Sequence, residues 1–235
     1  MLNSARFLRA FAAIEQELRR RVDVPKYVSF SRLVDDAAPK MPEVRRYRAD
    51  LKEFADLRNA IVHESSDEHV LADPNDRAVA EIEGLKALIL SPPKIFPTFR
   101  TRVCTVESTD PVSAAVRLMT DNSYSQLPVL ARGVFRDLLT ANTVARWLGT
   151  VADEDLVSLH QTTVDAVLQY REQWQGYEFV SKGATVTAVV DLFDAYERGG
   201  RELVAVMITE TGARREGLLG IVTVSDLPRL FSCLR

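Results

Sequence analysis

The sequence predicts an α+β chain of two parts: an all-α four-helix bundle over residues 1–92, then a tandem α/β repeat over 99–150 and 164–235. Three observations predict it. Apolar residues recur at three- and four-residue steps throughout the first part. The proline-rich stretch "SPPKIFPTF" then stops the helical pattern and reads as a linker over 93–98. Beyond it, short β-branched runs alternate with helical stretches, in an order that occurs twice.

Within the first part, "RFLRAFAAIEQELRRR" places Phe7, Leu8, Phe11, Ile14 and Leu18 on one stripe. A shorter helix is expected around "FSRLVDDAA", ending before Pro39. A third is expected over "PEVRRYRADLKEFADLRNAIVHE", with Pro42 at its start and Val44, Tyr47, Leu51, Phe54, Leu57 and Ile61 at helical spacing. The fourth, "DRAVAEIEGLKALIL", follows the turn-rich "ADPND" and stops at Pro92-Pro93. Four amphipathic helices with short connections suggest an antiparallel bundle.

In the second part the strand candidates are "TRVCTV", "QLPVL", "ELVAVMI" and "LLGIVTV". Val106, Val112 and Met119 lie over Val180, Val186 and Phe193 at a constant offset of 74 residues, whereas Thr140 lies over Thr223 at 83. The second copy therefore carries about nine extra residues, in "ERGGRE" and the hairpin "TETGARRE". An internal duplication is the economical reading.

Composition narrows the function classes. At 46% hydrophobic and 27% charged the chain has ample side chains for a core. Its formal charge of -3 supplies no global field for nucleic acid or an anionic membrane. Cys104 and Cys233 show no CxxC spacing, which argues against a zinc site or a disulfide framework. The N-terminal stretch lacks a signal-peptide pattern, and no run approaches the roughly 18 apolar residues of a membrane span. A cytoplasmic protein without a metal is expected. His69 and His160 have no ligand-spaced partner, and the basic runs "ELRRR" and "RRYR" read as solvated helix faces.

The segment "ESTDPVSAAVRLMTDNSYSQLPVLARGVFRDLLTANTVARWL" resembles a CBS (cystathionine β-synthase) domain, and "FVSKGATVTAVVDLF…EGLLGIVTVSDLPRLF" resembles its partner, a pair also called a Bateman module. The most specific piece is "GIVTVSDL". The resemblance implies that Thr223 holds the phosphate and Asp226 the ribose hydroxyls of an adenine nucleotide (AMP, ADP or ATP). Val180, Ser181, Val204 and Thr140 complete the implied ligand-binding set. The chemistry suits the spacing: a hydroxyl and free N–H groups at a helix start fit phosphate oxygens, and a carboxylate three residues on accepts from a diol. The plainer reading of the same two residues is a capped helix N-terminus. The first copy departs from the pattern, with Asp137 where the second has Gly220 and Thr143 where it has Asp226. One nucleotide site per pair is expected.

The segment "LRNAIVHE" in the helical part resembles the Arg-Asn…His motif of the HEPN family. That resemblance implies metal-independent RNA cleavage. His63 would act as proton carrier, Arg58 as phosphate clamp and Asn59 as orienter. On one straight helix, positions 58 and 63 point about 140° apart and lie about 7.5 Å apart along the axis. Such a site therefore needs the helix to fray at His63, or a homodimer that pairs Arg58 of one chain with His63 of the other. The structural reading is that Arg58 ion-pairs on its own helix and His63 caps the last carbonyls. Two functions follow as expectations: a regulatory protein whose CBS pair senses an adenine nucleotide and controls the helical domain or its partner, or a nucleotide-controlled ribonuclease of single-stranded RNA. Both are expected as homodimers.

Overall fold

The computed structural model describes residues 2–23, 25, 27–63, 73–153 and 156–234. The chain divides into two compact units: Met1–Pro93 with Thr185–Asp191 and Arg229–Arg235, and Lys94–Ala184 with Leu192–Pro228.

Five helices lie before residue 91 among the described residues: α1 Asn3–Arg21, α2 Phe30–Ala37, α3 Pro42–Arg46, α4 Arg48–His63 and α5 Asp76–Leu90. The stripe on α1 works as its spacing requires, with Phe7, Phe11, Ile14 and Leu18 all buried. They meet Leu33, Leu51, Phe54, Val79, Ile82 and Ile89 in one core. Phe7 sets its ring edge-on to Phe54 at 5.7 Å, and Phe11 lies 4.4 Å from Phe30. Helix starts are capped where polar residues precede them. Ser29 accepts from the Arg32 N–H, and Asn75 from the Ala78 N–H.

The third helix expected from the sequence is in fact two. Tyr47 leaves helical backbone at φ −103°, ψ 25°, and no glycine or proline announces the break. Ion pairs anchor the two pieces separately. Arg45 and Arg46, in the last turn of α3, both reach Asp191, at 2.6 and 3.3 Å. Arg48 and Lys52, in the first turns of α4, both reach Asp35, at 2.8 and 2.7 Å. The break therefore falls between two helices whose basic residues pair with different partners.

One carboxylate of this unit makes acid stability predictable. The Glu17 side chain is only 11% exposed and accepts from Arg20 and Arg21 at 2.7 Å each. The Arg20 hydrogen bond, with Arg21 behind it, pushes its carboxyl down from 4.5 to about 2. A lowered folded value means that Glu17 contributes its full stability above about pH 4.5 and loses it as pH falls toward 2. Glu17→Gln is expected to cost about 2 kcal/mol at pH 7. In urea melts that gap closes between pH 4.5 and 2; a gap independent of pH would refute the assignment.

The second part of the chain is a duplication. Its first copy runs β1 Val106–Glu107, α6 Val112–Asn122, β2 Gln126–Ala131, β3 Val134–Thr140, α7 Ala141–Thr150. After the short α8 Val164–Leu168, the second runs β4 Gln175–Ser181, α9 Val186–Arg198, β5 Glu202–Thr209, β6 Gly220–Thr223, a single 3₁₀ turn Val224–Asp226 and α10 Leu227–Ser232. The sheets are ordered β1-β2-β3 and β4-β5-β6. In each, the first pair is parallel and the second antiparallel. The strand registers locate the extra residues. The offset is 74 at β1/β4 (Val106 to Val180), 79 at β2/β5 (Val129 to Ile208) and 83 at β3/β6 (Thr140 to Thr223).

The inner faces of the two sheets meet through Phe135 and Leu138 on one side and Val204, Ala205 and Met207 on the other. The proline-rich segment before β1 is packed rather than solvated. Ile95 and Phe99 are buried, and the Thr101 N–H donates to the Leu219 carbonyl. No helix among the described residues is long and apolar enough to cross a membrane.

Candidate functional site

In the second copy, β6 delivers Thr223 to the end of the sheet, paired with Ala205 of β5. The 3₁₀ turn that follows brings Asp226 back onto it. The Thr223 N–H donates to Asp226 Oδ2 at 2.9 Å, and the Thr223 hydroxyl donates to the same oxygen at 3.3 Å. Both side chains are half-buried, so they are held in place yet remain within reach of a ligand. A carboxylate has about four acceptor positions, so a diol can still be received beside the two bonds from Thr223. Gly220 opens this strand for a steric reason. A Cβ there would sit 2.4 Å from the Phe99 carbonyl oxygen.

The other implied ligand residues do not all gather here. Val204 is the extra residue at the irregularity between Gly176 and Tyr177, immediately before the Ala205–Thr223 pair, and it is buried. Val180 and Ser181 pair with Ile208 and Thr209 at the other end of the sheet. Ser181 lies four residues along β4 from Tyr177, the residue in line with Ala205 and Thr223, which is about 13 Å at strand rise. Val180 and Ser181 are therefore not brought to Thr223 and Asp226.

The first copy fills the same position with its own side chains. The Thr140 Oγ caps α7 by accepting from the Thr143 N–H at 3.0 Å, and lies 2.8 Å from the Thr143 hydroxyl. It donates in turn to Gln175 Oε1 at 3.4 Å, whose amide donates to Glu202 Oε2 at 2.8 Å. Thr140, Thr143 and Gln175 are all buried. Beside them, Asn142 and Arg146 of α7 hold Glu172 at 2.6 and 2.7 Å. Asp137, standing in the Gly220 position, is answered by Arg171 at 2.7 Å. A phosphate at Thr140 would have to break this chain.

Sequence reasoning missed Gln175, Glu172 and Glu202, because their partners lie 26 to 35 residues away. It also missed a ring cluster between the sheets. Phe135, Tyr177 and Phe179 meet edge-to-face at 5.0 to 6.2 Å. Arg214, from the β5–β6 hairpin, lies 5.1 Å from the Phe135 ring and 5.6 Å from Tyr177, with Arg171 5.4 Å from the latter. Burial, then the charge of Asp137, holds the Tyr177 hydroxyl above its usual range.

In the helical unit, Arg58 Nη1 donates to Asn59 Oδ1 at 3.2 Å. Backbone helix continues through His63, so α4 does not fray before it; the His63 side chain lies outside the described residues. His69 lies outside them as well. His160 Nδ1 is 3.1 Å from the Ser113 hydroxyl, and no cluster suited to a metal ion occurs among the described residues.

A profile of the CBS domain matches residues 98–150. Several solved structures are similar to part of this chain at low identity. One is the CBS domain of a CBS domain-containing membrane protein from Sphaerobacter thermophilus (19% identity, 65% of this chain and 97% of that one, TM-score 0.46). A second is the CBS domain pair of protein MJ0100 in complex with 5′-methylthioadenosine and S-adenosyl-L-methionine (16%, 59% and 95%, 0.41). A third is CbpB in complex with c-di-AMP (14%, 65% and 91%, 0.44). Among curated proteins, none matches significantly.

Proposed function

We propose that the chain is a regulatory protein whose second CBS repeat holds one adenine nucleotide, AMP, ADP or ATP, and that occupancy controls the N-terminal helical domain or its partner. The observation that carries this reading is the contrast between the two copies. Thr223 and Asp226 form a half-buried hydroxyl–carboxylate turn, whereas the equivalent Thr140–Thr143 pair is buried and consumed by Gln175. The phosphate falls to the Thr223 hydroxyl and the N–H groups of Val224 and Ser225, since those of Thr223 and Asp226 are held in a reciprocal capping box, and the ribose diol falls to Asp226. A ligand that binds only the folded chain stabilises it by about 2.7 kcal/mol at one hundred times Kd. For a chain of this size that raises Tm by roughly 5–10 °C. Thermal melts in AMP, ADP and ATP test the reading; no shift with any of them would overturn it.

A second reading keeps the Arg58–Asn59 contact as part of a HEPN-type ribonuclease site. Because α4 stays helical to His63, this site is composite: Arg58 of one chain and His63 of another in a homodimer. The protein then cuts single-stranded RNA in EDTA, leaving 2′,3′-cyclic phosphate ends. Mixed Arg58→Ala and His63→Ala chains regain part of the activity. Intact RNA after incubation with the wild type, with and without adenine nucleotides, removes this reading.

A further inference from the structure

The chain leaves the candidate nucleotide site by a short route. Asp226 ends the 3₁₀ turn and α10 begins at the next residue, yet from Arg229 onward the chain belongs to the helical unit. There it is firmly held. Leu230 is fully buried and Leu234 nearly so, and the Arg46 guanidinium of α3 lies 5.8 Å from the Phe231 ring. Cys233 and Leu234 then line an open groove of about 1160 Å³ whose other walls come from α4 and α5, with Phe54, Gly84 and Leu88 among them. The helical unit also grips the start of α9. Asp191 is paired with Arg45 and Arg46, and the Val186 N–H donates to the Pro93 carbonyl at 2.8 Å.

On the reading of Thr223 and Asp226 given above, we propose that α10 is the regulatory coupling element. Nucleotide at the turn resets α10, and with it Cys233 and Leu234 at the wall of the α4–α5 groove. The coupling rests on covalent proximity and on rigidity. Only Leu227 and Pro228 separate Asp226 from Arg229, so the turn is joined to α10 with no intervening loop. The Arg46–Phe231 stack and buried Leu230 tie α10 to the helices it must move. Arg46 also binds Asp191, so one side chain holds both segments of the second repeat that belong to the helical unit. A ligand moves such an element only through differential affinity for its two positions, and the effect is reciprocal.

Cys233 provides the readout. The chain has two cysteines, so Cys104→Ser leaves a single thiol. Its rate of reaction with a maleimide is to be measured alone and with saturating AMP, ADP and ATP, with calorimetry on the same samples. Bound nucleotide is expected to change the rate at least threefold. Phe231→Ala abolishes that response while nucleotide still binds, and Phe231→Tyr, which keeps a ring beneath Arg46, retains it. Nucleotide that binds without changing the Cys233 rate overturns the coupling and leaves the site standing. Calorimetry that shows no binding overturns the site, and the coupling with it.

Discussion

Asp226→Ala is expected to weaken adenine-nucleotide binding by about 10- to 100-fold. The carboxylate is assigned two ribose hydroxyls, and hydrogen bonds to a charged group are each worth about 1.5–3 kcal/mol. At 1.4 kcal/mol per decade, the net loss of one such bond, with water replacing the other, gives about that range. The unliganded protein should suffer less. Asp226 also receives the Thr223 N–H at 2.9 Å, and losing such a cap costs about 1 kcal/mol. Thr143→Ala reverses the two effects. Thr143 is fully buried and bonded to Thr140, so its loss lowers stability while nucleotide affinity stays unchanged. If both variants bind nucleotide as the wild type does, Asp226 is only a cap. A direct comparison of Kd and Tm across the two variants separates ligand from scaffold.

Gly220→Ala is expected to be the most destabilising single methyl in the second copy, at about 3 kcal/mol in urea. The added Cβ meets the Phe99 carbonyl oxygen at 2.4 Å, and a backbone atom cannot swing aside as a side chain can. The same substitution at Gly84 is its control. Nothing lies within 4 Å of a Cβ there, and the position is interior to α5. Gly84→Ala is expected to stabilise the helical unit by about 0.5–1 kcal/mol. Should Gly220→Ala melt within 0.5 kcal/mol of wild type, the segment around Phe99 does not lie against β6 as described.

What could be read from the sequence was local. The stripe Phe7, Phe11, Ile14, Leu18 became core because helical period alone decides which face is apolar. The doubled strand–helix order became two sheets of identical connectivity, and its extra residues fell between β4 and β6, where the hairpin and "ERGGRE" are. The Thr223–Asp226 pair was legible because its members are three residues apart. What was hidden depended on distant partners. Three prolines excluded a helix near residue 95 but did not show that Ile95 is buried. Nothing in "PEVRRYR" marks a break at Tyr47, nor that Arg45 and Arg46 just before it meet Asp191 some 145 residues on. The hydrogen bond from Thr140 to Gln175 was hidden for the same reason, its partner lying 35 residues away. Spacing alone also does not reveal that Val180 and Ser181 pair with Ile208 and Thr209, toward the other end of the sheet from the Ala205–Thr223 pair.

Isothermal titration of the full chain with AMP, ADP and ATP tests the central claim most directly, because it counts sites. One nucleotide per chain is predicted, retained in Thr143→Ala and lost or severely weakened in Asp226→Ala. Two nucleotides per chain, or a single site that survives Asp226→Ala unchanged, would contradict the assignment of the ligand to the Thr223–Asp226 turn.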